Sequence, residues 1–147
     1  RVPLLVRGPG VPAGHVTALV GNVDFYRTFT RLGGMNAPTY VDGRNLEWAL
    51  EGSPMPSDWR KSWLIQNGGC PSTNPKAFFG LVTETGWKYV EYGDGFKELY
   101  DLNADPYELQ NIAGSQPVLE AALHERLTLM KVCKGATCRT IESEALP

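Results

Sequence analysis

The chain has 147 residues, with 14 Lys and Arg against 16 Asp and Glu, a formal charge of −2, and 42% hydrophobic residues. That suits one ordinary domain, or two small ones sharing a core, and a chain of this length buries roughly 68–70% of its unfolded surface without metal or disulfide staples. Balanced charge argues against a nucleic-acid partner, no apolar run approaches the roughly 20 residues that span a bilayer, and 2 His leave little room for a His-built cluster.

Residues 2–6, Val-Pro-Leu-Leu-Val, read as a strand covered on both faces, with Pro3 near its start where a strand tolerates it. A chain that opens without Met and inside such an element reads as a piece of a larger protein. Residues 8–14, rich in Gly and Pro, form a loop. A helix is predicted over 24–32, with Asp24 as N-cap, Phe25, Phe29 and Leu32 as its apolar stripe and Gly33-Gly34 as its end. Residues 35–62 form a connecting segment holding Pro38, Pro54 and Pro56, with one short helical stretch at 46–50.

The pattern then changes to short strands at 62–66, 78–85, 87–92 and 96–102, with turn signals at Thr85-Gly86 and Gly93-Asp94-Gly95. An antiparallel meander is the simplest arrangement. Asp105-Pro106-Tyr107-Glu108 has the form of a capping box opening a short helical turn. A longer helix is predicted over 117–132, its stripe of Leu119, Leu123, Leu127 and Met130 covering one sheet face, with Glu120, His124 and Glu125 turned away.

Candidate chemistry is sparse. Gly8-Pro9-Gly10-Val11-Pro12-Ala13 fits the outline G-x-G-x-x-A of a dinucleotide loop, but Pro9 and Pro12 remove two of the N–H groups a phosphate would need. Asp101-Leu102-Asn103-Ala104-Asp105 copies half of a calcium loop, yet Pro106 and Ile112 stand where Gly and a bidentate Glu belong, so a strand-to-helix corner is the better reading. Cys133 and Cys138 suit a small disulfide-closed loop, for which loop closure gives about 2 kcal/mol, with two reduced buried thiols as the other reading. A metal there would need two more ligands, and His124 lies on the far side of the helix. Cys70 is left over in a loop with no His base tied to it, and no Ser, His and acid constellation is recognisable.

Several segments together resemble the C-terminal part of the sulfatase family, sulfuric ester hydrolases with an alkaline-phosphatase-like fold. These are the opening 1–14, Asn22-Val23-Asp24, Asp42-Gly43-Arg44-Asn45-Leu46 and Thr85-Gly86-Trp87-Lys88-Tyr89-Val90. Most specific are Glu98-Leu99-Tyr100-Asp101-Leu102 and the run 105–113 from Asp105 to Ala113. The helix departs from the family pattern at Tyr26-Arg27-Thr28, where a Pro is common.

The resemblance implies an α/β parent, α+β in this chain. Residues 1–34 would close the large α/β domain with its last strand and helix, 35–62 would connect, and 63–147 would form a small antiparallel sheet with a packed C-terminal helix. It also implies hydrolysis of sulfate monoesters by a formylglycine made from C-x-P-x-R or S-x-P-x-R beside a calcium ion. That motif and the metal-binding Asp-Asn pair belong to the family's N-terminal part, and Cys70-Pro71-Ser72-Thr73 does not match it. No residue of this chain is therefore carried over as catalytic or metal-binding. The resemblance makes the missing N-terminal sulfatase domain the partner, with a sulfated small molecule or glycan bound through the parent, neither nucleic acid nor membrane, and the 63–85 region as a contributor to the substrate cleft. Tails of some secreted sulfatases resemble 133–139, which favours the Cys133 to Cys138 disulfide and a secreted, periplasmic or lysosomal-type oxidising compartment. Two rivals are a phosphonate or phosphate monoester hydrolase fragment of the same superfamily and a stand-alone module that binds sulfated glycan on its sheet.

Overall fold

The computed structural model describes residues 3–68 and 77–146. Four strands, β1 (Ser62–Asn67), β2 (Phe78–Thr83), β3 (Trp87–Tyr92) and β4 (Lys97–Asp101), form one sheet in the order β1-β2-β3-β4. Each pairs antiparallel with the next, so the predicted meander is the fold observed. The registers Leu64 to Leu81, Leu81 to Tyr89 and Tyr89 to Leu99 put one apolar row across all four strands.

Helix α3 (Pro117–Met130) lies on that row, and Leu123 and Leu127 join Leu81, Tyr89 and Leu99 in a fully buried core. Each such leucine, moved out of water, contributes about 1.5–3 kcal/mol. The predicted stripe is thus the one that packs, and the helix stops at Met130 rather than 132. The outer edge of β4 is occupied too: Asn111 Oδ1 accepts from Leu99 N at 3.0 Å and Ile112 N donates to Leu99 O at 3.0 Å, which satisfies backbone that an edge strand leaves open.

Before the sheet come α1 (Val23–Leu32) and the short α2 (Glu47–Glu51). After α3 the chain turns through Gly135 into α4 (Ala136–Ser143), which the sequence reading did not anticipate, and a Cys133 to Cys138 disulfide ties its first turn to the segment leaving α3. Eight residues of mixed polarity carry little helical signal alone, and α4 forms where that bond and its contacts hold it.

Four local expectations are corrected. Residues 3–8 form no strand, and Leu5 is 94% exposed, because no neighbouring backbone among the described residues completes a ladder there. Asp24 is not the N-cap: α1 begins at Val23, and Asp24 sits inside the first turn, fully buried. The apolar stripe is only partly covered, Phe25 half-buried but Phe29 64% and Leu32 57% exposed, while the face that packs inward carries Asp24 and Thr28. At 105–108 there is a turn and no helix. Asp105 accepts from Leu109 N at 3.0 Å and Gln110 N at 2.9 Å, while Glu108 takes a left-handed φ of 57° and pairs with Lys88 instead of reaching back.

Candidate functional site

The polar inward face of α1 is one wall of a buried ion cluster. Asp24 Oδ1 accepts from Arg44 N at 2.7 Å and its Oδ2 from Gly21 N at 2.9 Å. Arg60, at the entry to β1, presents Nη1 to Oδ2 at 2.6 Å and Nη2 to Oδ1 at 2.7 Å, a bidentate pair with both side chains wholly buried. Arg60 Nε reaches Glu142 Oε2 of α4 at 3.1 Å, and Arg44 Nε reaches the same oxygen at 3.4 Å. The Arg60 guanidinium also stacks 4.4 Å from the Trp63 ring and 5.4 Å from that of Trp59.

Two glycines make the close approaches possible. A Cβ on Gly43 would meet Val23 O at 1.9 Å, so only glycine lets the 42–46 loop bring Arg44 N to Asp24. A Cβ on Gly21 would meet Trp63 at 2.1 Å. These contacts give a structural meaning to two of the sequence segments: Asn22-Val23-Asp24 places the acceptor and Asp42-Gly43-Arg44 places a donor.

Electrostatically the cluster is closed, two carboxylates facing two guanidiniums. Burial alone would pull Arg60 down, but its hydrogen bonds and attraction to Asp24, then to Glu142, outweigh that and hold it above the ordinary value. For Arg44 burial wins, aided by repulsion from Arg60, and its value is lowered although Glu142 and Asp58 oppose the shift. Every guanidinium nitrogen of Arg44 is engaged, Nε with Glu142 Oε2, Nη1 with Asp58 O at 2.7 Å and Nη2 with Ser143 Oγ at 3.1 Å and Arg139 O.

Beside the cluster lies an open cleft of about 460 Å³, walled by Arg27 of α1, Arg44, Arg139 of α4, and Trp48 and Trp59. The two indoles meet edge to face at 5.2 Å. Glu47, Glu51 and Asp58 share the wall, and Glu47 already accepts from Arg31 Nε at 3.3 Å and Asn45 Nδ2 at 3.0 Å. Two buried donors have no partner among the described residues, Arg27 Nε and Trp48 Nε1. Leaving such groups unmade costs about 1–3 kcal/mol each. Burial lowers Arg139, and repulsion from Arg27 and Arg44 lowers it further. None of these residues was singled out as a site residue from sequence, although Arg44 and Arg27 lie in segments compared with the family; they come from α1, the connecting segment and α4, and no spacing announces their meeting.

The residues that were singled out fall elsewhere. Cys133 and Cys138 are bonded to each other, and Cys70, like the 69–76 part of the region expected to help wall a cleft, lies outside the described residues. His15 is exposed in its loop. His124 Nδ1 contacts Glu91 Oε1, and Glu91 also accepts from Tyr89 at 2.8 Å and Lys131 at 3.1 Å. Gly8 O accepts from Val11 N at 3.2 Å in a plain turn. Asp101 ends β4 and Asn103 lies in the turn after it, Asp101 Oδ1 accepting from Asn103 N at 3.0 Å and Asn103 Nδ2 donating to Thr85 O at 2.8 Å. Among the described residues no three His, Cys, Asp or Glu side chains stand where they could hold a metal ion. No helix there is long and apolar enough to cross a membrane.

Compared with known proteins, residues 1–133 match the family model described as N-sulphoglucosamine sulphohydrolase, C-terminal. N-acetylglucosamine-6-sulfatase of Bos taurus is 32% identical over 173 aligned positions, covering 95% of this chain and 31% of that protein. Arylsulfatase K of Homo sapiens is 32% identical over 142 positions, covering 86% and 25%. Among solved structures, one determined in complex with its substrate D-glucosamine-2-N,6-O-disulfate superposes with a TM-score of 0.64 at 30% identity, covering 73% of this chain and 23% of that one. The phosphonate monoester hydrolase of Silicibacter pomeroyi also reaches 0.64, at 27% identity, covering 85% and 27%. The chain therefore spans under a third of the length of these proteins.

Proposed function

The chain belongs to the sulfatase family, as its C-terminal part, and from that premise we propose that the whole protein hydrolyses sulfate monoesters while these residues supply architecture and not the reacting groups. The observation that carries this reading is the extent of the match: the family model takes in residues 1–133, yet the chain covers only 31% of a sulfatase relative. The family's nucleophile motif, C-x-P-x-R or S-x-P-x-R, has no counterpart in the sequence. A formylglycine nucleophile and calcium are accordingly assigned to the remainder of the protein. The described residues bring no three His, Cys, Asp or Glu side chains together and so do not fit a calcium site.

In this reading residues 1–34 finish the large domain, 35–62 connect, and 63–147 form the subdomain beside the substrate cleft. The exposed Phe29 and Leu32 and the segment 3–7, which lies in no ladder, are the surfaces that the N-terminal sulfatase domain covers, since both would gain what they lack in this chain. A sulfated small molecule or glycan is the substrate of the whole. The disulfide supports a secreted, periplasmic or lysosomal-type compartment, because such bonds persist where thiols are not kept reduced.

The isolated chain, assayed on an aryl sulfate with calcium, should show no turnover above background; measurable hydrolysis would overturn the division of labour. A second reading, hydrolysis of phosphonate or phosphate monoesters, is favoured by the likeness to the phosphonate monoester hydrolase. Assaying the complete protein on aryl sulfate and phenyl phosphonate side by side separates the two.

A further inference from the structure

The family model matches residues 1–133, and α4, which lies beyond that match, folds back as a clamp on the connecting segment. Glu142 Oε2 meets Arg60 and Arg44, Glu142 O accepts from Lys61 N at 2.6 Å, and Arg139 Nη1 donates to Val41 O. The Cys133 to Cys138 disulfide closes a ring at the near end of this clamp, and Gly135 inside the ring donates its N–H to Asp42 Oδ1. A Cβ on Gly135 would meet Thr39 O at 2.8 Å, so the ring rests directly on the main chain of the connector.

The two sulfurs differ in access and in local charge. Cys138 is the third residue of α4, in the turn whose N–H groups have no carbonyl within the helix, and that end of a helix favours a thiolate over a thiol. Lys134 stands inside the ring and Arg139 follows Cys138, and neighbouring cations act in the same direction. Cys138 is only 8% exposed, whereas Cys133 is half-buried. An incoming thiolate therefore reaches Cys133 and expels Cys138, and a disulfide opens faster when the departing sulfur is a stable thiolate.

We propose that the Cys133 to Cys138 disulfide is redox-active, a latch that a dithiol reductant opens in the folded protein and that oxidation recloses, with α4 as the clamp it releases. A thiolate of the dithiol attacks Cys133 Sγ, the bond between the two sulfurs breaks, and Cys138 leaves as a thiolate. The second thiol of the reductant then attacks its own sulfur in the mixed disulfide, closing the reductant's cyclic disulfide and freeing Cys133. The protein gains two electrons and two protons and the dithiol loses the same. Closed, the latch keeps Glu142 on Arg60 and Arg44; open, it leaves α4 held by non-covalent contacts alone. This inference stands on the ring and its contacts and not on the hydrolytic reading, and its test involves no turnover.

The test treats the 147-residue chain with dithiothreitol at neutral pH without denaturant, traps thiols with iodoacetamide at intervals and digests with trypsin. Cleavage after Lys131, Lys134 and Arg139 puts Cys133 and Cys138 in different peptides and Cys70 in a third, so each sulfur is read separately. Both ring cysteines are expected to be trapped faster than the chain unfolds globally, the global rate being read from hydrogen exchange of the β2 and β3 amides. In the reduced chain, exchange at Lys61 N should rise about thirtyfold, the factor that loop closure of so short a ring corresponds to, while β2 and β3 stay as they were. Reoxidation should restore the slow exchange. Lys134→Glu changes an exposed side chain, and it should slow reduction about threefold while leaving Lys61 exchange in the oxidised chain unaltered. Trapping no faster than global unfolding, a reduced chain whose Lys61 exchanges as before, or a Lys134→Glu chain reduced as fast as the parent would overturn the proposal.

Discussion

The carboxylate of Asp24 receives four donors: Gly21 N, Arg44 N and two nitrogens of Arg60. Its removal as a charge, by Asp24→Asn, keeps the shape but strands the Arg60 guanidinium in the interior. Breaking one side of a buried pair costs about 3–5 kcal/mol, so the urea midpoint of unfolding should fall steeply, and a change under about 1 kcal/mol would show that Glu142 alone suffices for Arg60. Arg60→Met, with Asp24 left unpaired, should be comparably harmful. The pair was not legible beforehand because its members stand 36 residues apart in segments whose local signals point elsewhere. Asp24 reads as a helix cap from its neighbours, and Arg60 precedes a strand with no pattern that marks burial. Gly43 lets the Arg44 backbone reach the same carboxylate, in a segment that the sequence marks only by its family resemblance.

At the scale of elements, strands and α3 were readable because alternation, turn residues and a leucine stripe act locally and agree with the packing. The facing of α1 was not, since a stripe says that a helix is two-sided but not what lies on each side. Two measurements probe how helices are fastened to the sheet. On β3, burial pushes Glu91 up, but hydrogen bonds from His124, Tyr89 and Lys131 outweigh it, and its carboxyl is held below the ordinary 4.5. A carboxylate lowered in the folded state adds stability that is present above the unfolded value and lost as pH falls through the folded one. Urea midpoints taken from about pH 6 down to 3 should therefore decline less in Glu91→Gln than in the parent chain; identical slopes would show that Glu91 is not linked to folding. For α4, replacing Cys133 and Cys138 by Ser should cost about 2 kcal/mol on unfolding. It should also speed hydrogen exchange at Lys61 N, which donates to Glu142 O at 2.6 Å, whereas unchanged exchange there would mean that α4 is held by its ion pairs alone.

Across the whole molecule, the division into 1–34, 35–62 and 63–147 follows changes of pattern along the chain, and the cluster cuts across it. Asp24 belongs to the opening stretch, Arg44 and Arg60 to the connector and Glu142 to the last helix, so four side chains join regions that sequence reading keeps apart. The cleft was illegible for the same reason, being made of parts from all three. Mechanically, Arg60 is a weld. A push on the exposed part of α1 would pass through Asp24 and Arg60 into the first strand, and through Glu142 into α4. A larger partner gripping α1 would thereby hold the small sheet at a set angle, and a cut in α4 that left every strand intact would slacken that grip at a distance.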